Sequence, residues 1–194
     1  MTSVLHKGVG LLTGSVLLLS LICQAQQPAV HLQPTNTVGP RTLEKPTETS
    51  VVRGYLEAWR TMDAAFSGNR PELLQDWFIG GAKDKLAAAV RGQQQNKLSS
   101  AYEDRSHNLQ ILFYSPEGLS IELVDDVEYE VEVRENGQSQ GKQNVHASYV
   151  AILTPTETRW KVRVFQAISD AGEGRASDAK GADSVQGKVQ GAGQ

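Results

Sequence analysis

Between residues 119 and 134 apolar side chains fall at 119, 121, 123, 127, 129, 131 and 133, and polar or acidic ones at 120, 122, 126, 128, 130, 132 and 134. A period of two sends successive side chains to opposite faces of a sheet, so this stretch predicts one long strand. Val124 and Asp125 interrupt the alternation. The favoured cause is a β-bulge that turns the Asp125 carboxylate outwards, since a bend in a long strand usually needs one. Shorter strands are expected at 109–114, 145–153 and 160–165, separated by the turn sequences Ser115-Pro116-Glu117-Gly118, Asn136-Gly137 and Thr154-Pro155.

The periodicity upstream is helical. Val52, Tyr55, Leu56, Trp59, Met62 and Phe66 share one face of a helix over 48–67, with Thr47 as N-cap and Gly68-Asn69 as its end. A second helix opens at Pro71, carries Leu73, Leu74, Trp77 and Phe78, and is stopped by Gly80-Gly81. A third is expected over 82–98, with Leu86, Ala89 and Val90 on its buried side. The pattern predicts an α+β fold: N-terminal helices packed on one face of a curved four-stranded antiparallel sheet.

Composition sets the limits of that domain. All twelve aromatic residues lie between Tyr55 and Phe165, so the core is placed at 47–168. Residues 1–25 hold one charge, Lys7, and an apolar run from Val9 to Cys23, which suits a secretory signal peptide cleaved after Ala25; an uncleaved anchor is the alternative. Cys23 is the single cysteine, and Ile22 before it is a poor match to a lipoprotein acylation site, so lipid anchoring is the lesser option. After cleavage no cysteine remains for a disulfide, a thiol nucleophile or a thiolate metal site. Residues 26–46 carry prolines at 28, 34, 40 and 46 and predict an extended spacer. Residues 169–194 are Gly, Ala and polar, and predict a disordered tail. With 19 basic against 22 acidic residues the chain lacks the basic excess of a nucleic-acid binder.

The element order then carries a resemblance. The opening helix with Tyr55 and Trp59, the segment Leu73-Leu74-Gln75-Asp76-Trp77-Phe78, the long strand 119–134 and the closing Arg159-Trp160-Lys161-Val162 resemble the nuclear transport factor 2-like superfamily, SnoaL-like proteins included. That resemblance implies a cone-shaped α+β domain whose concave face can hold a pocket, in isomerases and dehydratases as well as in transport factors and scaffolds. The chain is also similar to the C-terminal domain of plastid and cyanobacterial division proteins, which implies binding of a protein partner. Fold alone does not choose among these.

Candidate chemistry is sparse. Asp125 on the apolar side of its strand would be a desolvated carboxylate able to act as a general base, with Tyr149 or His146 as proton donor. His107 is placed in a loop before the first strand. No histidine pair has a zinc-ligand spacing, and no phosphate loop or nucleophile elbow occurs, so neither metal nor cofactor is expected. Tyr55, Trp59 and Tyr149 are the candidate binding residues of the cone, although large aromatics more often serve burial. Glu128, Glu130 and Glu132, with Glu122 and Asp126, form an acidic sheet face for a basic partner; the plainer reading is wet surface offset by nearby cations such as Lys161 and Arg163. The leading reading is an exported, non-catalytic binding or accessory domain for a protein or small ligand, with no membrane span after signal cleavage and with a homodimer through the sheet as an option. The alternative is a small-molecule isomerase or dehydratase using Asp125. A purely structural domain held at an envelope by the spacer is the third.

Overall fold

The computed structural model describes residues 27–34 and 39–168; the expected signal peptide and C-terminal tail lie outside the described residues. The chain runs β1 (Ala29–Leu32), α1 (Lys45–Ser67), a 3-10 helix (Pro71–Asp76), α2 (Gly80–Gln95), β2 (Leu98–Tyr114), β3 (Ile121–Glu135), β4 (Gln138–Pro155) and β5 (Trp160–Ile168). The architecture is α+β, with both α-helices on one face of the sheet. The sheet has five strands in the order β1-β2-β3-β4-β5 rather than four. The additional strand comes from the stretch expected to be a spacer: β1 pairs in parallel with β2, so the sheet is mixed. Proline at 28 and 34 bounds Ala-Val-His-Leu without interrupting it, and an edge position tolerates such neighbours.

α1 begins at Lys45, with Glu44 rather than Thr47 as the extended N-cap residue. The reason is Pro46, whose fixed φ and missing N–H suit the first helical turn. Val51, Tyr55, Ala58, Trp59, Met62, Ala65 and Phe66 are its buried stripe. Gly54 lets the helix approach β5 closely: a Cβ there would stand 2.9 Å from the Trp160 carbonyl oxygen. Gly80-Gly81 opens α2 instead of ending the helix before it, because Gly80 takes φ +54° at the bend. The hairpin between β3 and β4 is the one Asn136-Gly137 predicts, with φ +49° and +80°.

Two strands depart from expectation in ways that matter for the site. β2 starts at Leu98, not near 109, and includes His107. Its alternation is broken by irregularities at Asp104/Ser106 and Ile111/Phe113, so Tyr102, Asp104, His107, Leu109, Ile111 and Tyr114 share the helix-facing side despite two gaps of three. β3 has no bulge at Val124-Asp125. Asp125 is in phase with Ile121, Leu123 and Val127 and is buried with them, while Val124 takes the opposite face. No helix among the described residues is long and apolar enough to cross a membrane.

Candidate functional site

β3 carries Asp125 to the centre of the helix-facing side, where the register sets it between Leu109 of β2 and Tyr149 of β4. Its Oδ2 accepts two hydrogen bonds: from the Tyr55 hydroxyl on α1 at 2.9 Å and from His107 Nδ1 on β2 at 2.7 Å. The far side of the imidazole, Nε2, faces Asp104 Oδ2 at 3.7 Å. The irregularity beside Asp104 is what brings these two residues, three apart, onto one face. Tyr55, His107 and Asp125 are each 0% exposed. Burial pushes the His107 imidazole down, but the nearby Asp104 carboxylate, at 3.7 Å too far for a hydrogen bond, and the hydrogen bond and charge of Asp125 outweigh it and raise the pKa to about 9. Burial and the Asp125 charge push the Tyr55 hydroxyl well above its ordinary value, so it stays a donor. Among the described residues four buried atoms here lack a hydrogen-bond partner: Trp59 Nε1, Asp104 Oδ1, His107 Nε2 and Asp125 Oδ1.

Aromatic rings close around this group. Trp59 lies 5.4 Å from His107, 5.7 Å from Tyr129, 5.4 Å from Tyr149 and 5.5 Å from Phe165, centroid to centroid. Tyr149 stacks on Phe165 at 4.7 Å. Although it stands opposite Asp125 in register, its hydroxyl meets the Tyr129 hydroxyl at 3.4 Å. Burial first, then that contact, raises the Tyr149 pKa.

The other residues singled out in the sequence lie across the sheet. His146 is exposed on the outer face, opposite Glu128, so the strand plane separates it from Asp125 and Tyr149. Glu130 is bound by Arg105 at 2.8 Å and Lys142 at 2.6 Å, and Glu132 by Arg134 at 2.8 Å. These contacts lower both carboxyl pKa values, the Lys142 and Arg134 hydrogen bonds leading. The offsetting cations are therefore neighbours on β2, β3 and β4 and not Lys161, whose Nζ donates to the Gln75 carbonyl at 2.8 Å. Glu128 has no ion-pair partner among the described residues.

No family model matches the sequence, and no curated protein sequence matches it. Solved structures do. The chain is similar to the intermembrane space region of the chloroplast protein ARC6, with a TM-score of 0.53 and 12% identity over 66% of this chain and 98% of that one. It is also similar to a putative scytalone dehydratase from Novosphingobium aromaticivorans (TM-score 0.47, 12% identity, 64% of this chain and 89% of that one). A nuclear transport factor 2-like superfamily protein from Salmonella enterica serovar Typhimurium matches at TM-score 0.42 and 14% identity over 66% and 98%. At that identity the likeness to the ARC6 region shows a shared α+β fold.

In this domain the helix-facing side of the sheet is filled by side chains. His107 and Asp104 are the residues that sequence reasoning missed at its centre, and the spacing 102, 104, 107, 109, 111, 114 was the available signal. Chemically, an imidazole whose pKa is about 9 is already protonated at neutral pH and does not accept a further proton. Asp125 Oδ2 is taken by two donors. What the arrangement does as it stands is hold a cation between two carboxylates in the core and tie α1, β2 and β3 to one point.

Proposed function

We infer that this is an exported, non-catalytic binding or accessory domain whose partner is a protein. One observation carries the reading: the groups that chemistry would need, Asp125, His107 and Tyr55, are sealed from solvent and bonded to one another. The charged N-terminal Lys7, the apolar run to Cys23 and the small-x-small site at Ala25 support export to the periplasm or beyond.

The outer face of the sheet is the surface proposed for the partner. Register places Phe113, Ile152 and Val164 in one cross-strand row with Glu122, and Val124 and Val150 in the next with Gln110 and Gln166. Phe113 is 38% exposed. An antiparallel sheet with helices on one face normally turns polar residues to the other, so an outward apolar cluster marks a contact surface, with a second copy of the chain among its candidate occupants. The unpaired Glu128 at its margin would favour a basic group on the partner.

A second reading has one observation in its favour. The four unpartnered buried atoms around Asp125 suit a small polar ligand admitted to the cone, as isomerase or dehydratase chemistry would require. The test is a small-molecule panel of cyclic ketones and hydroxyketones read by the imidazole resonances of His107 in the full mature chain. A photocrosslinker at position 150 runs in parallel. A protein adduct at 150 with unmoved His107 resonances supports the binding domain. Saturable movement of those resonances overturns it in favour of the enzyme.

A further inference from the structure

A second surface lies on the other side of the sheet, at its β1 edge. β1 is terminal in the strand order, and no described strand pairs with its far side. The Gln33 N–H donates to the Leu109 carbonyl at 2.9 Å, and Leu32 is the register partner of Leu109. In a parallel ladder this means that His31 and Gln33 turn their backbone groups to β2, while Val30 and Leu32 turn their N–H and C=O outwards. Val30 and Leu32 also pair with the buried His107 and Leu109, so their side chains are on the helix side of the sheet.

On that same side a groove of about 360 Å³ runs between β1 and α1. Leu32, Val52 and Leu56 form its apolar wall, and Val30 beside it is 38% exposed. The rim carries Lys45, Glu48, Arg53, Glu57 and Arg60. Lys45 pairs with Glu48, and Arg60 with Glu57, which leaves Arg53 as the rim cation with no ion-pair partner among the described residues. The surface thus offers outward backbone donors and acceptors, an apolar trough beside them, and one surplus positive charge in a chain of net charge −3.

We propose that this edge takes an extended peptide segment of a partner protein as a sixth strand. Its backbone bonds to Val30 and Leu32, its apolar side chains enter the trough against Val52 and Leu56, and a carboxylate meets Arg53. Strand addition obtains affinity from the main chain and selectivity from alternate side chains, and this edge supplies both. The shortness of β1, four residues, limits the footprint to a few residues and explains why the trough beside it is needed. A strand standing next to β1 points every second side chain towards α1, so the occupant is apolar at alternate positions.

The probe is a fluorescent hexapeptide alternating Val with Thr and ending in Asp, read by anisotropy against the full mature chain. Saturable binding is expected. Arg53→Glu should raise Kd roughly tenfold, equivalent to about 1.4 kcal/mol. Leu56→Lys should abolish saturation. Val30→Pro removes an outward N–H without touching the ladder to β2, and should also weaken binding; its melting curve reports whether β1 remains docked. No saturable binding to the wild type overturns the proposal. So does binding that survives Leu56→Lys, tighter capture of fluorescent dodecanoate than of the peptide, or self-association that Leu56→Lys removes, which would make a second copy the occupant.

Discussion

Asp125 was legible as an anomaly but not as a contact. The alternation along β3 identifies it as a carboxylate on an apolar face, and two outcomes follow from that: a bulge that expels it or a partner that receives it. The partner is His107, which lies 18 positions away on a neighbouring strand, and no local pattern reports such a meeting. Replacing Asp125 by Asn removes the carboxylate and leaves the imidazole buried without it. Breaking one side of a buried pair costs roughly 3–5 kcal/mol, so Asp125→Asn should melt lower than the wild type. A higher melting temperature would indicate a strained, functional carboxylate instead. The pH dependence has a definite sign. His107 rises from 6.5 to about 9 on folding, so the folded state holds the extra proton between those values. Its stabilisation is complete below pH 6.5 and is lost as pH climbs through 9, by at most about 3 kcal/mol. Urea unfolding of the wild type at pH 6, 7.5 and 9 should show this decline, and His107→Gln should flatten it.

At the scale of elements, β3 and the Asn136-Gly137 hairpin were readable because β3 itself carries no bulge, so only the residue types at Val124 and Asp125 break its alternation. β2 was not: two irregularities shift its phase, so the residues on its buried face are spaced by three at Asp104–His107 and again at Ile111–Tyr114. β1 was hidden for another reason, since a four-residue edge strand between prolines has the composition of a linker. α1 is held to β5 through the absent side chain of Gly54. Gly54→Ala would drive a Cβ to 2.9 Å from the Trp160 carbonyl, and backbone on both sides leaves little room to yield. We expect a loss of about 1–3 kcal/mol in chemical denaturation, despite the better helix propensity of Ala. A stabilised variant would mean that α1 and β5 separate easily.

For the molecule as a whole, the two faces of the sheet differ in what covers them. One face is covered at its centre by α1 and α2, and the other carries the row containing Phe113, Ile152 and Val164 and the row containing Val124 and Val150. If that outer face is the contact surface, Val124→Lys should leave the melting temperature within about 1 °C, since surface changes rarely exceed ~0.5 kcal/mol. It should also abolish any association seen by sedimentation; association that survives the change would place the contact elsewhere. By itself the sequence determined the α+β class, the amphipathic helix α1, the long strand β3 and the aromatic core. All of these rest on periodicity and residue chemistry that are local in the chain. Tertiary structure decided what became of the Val124-Asp125 break, an exchange of faces that sends a carboxylate to a buried histidine and a valine to the outer surface. It also decided that β1 closes one edge of the sheet. Both are settled by which strands become neighbours, and strand neighbours are chosen by the packing of the whole chain.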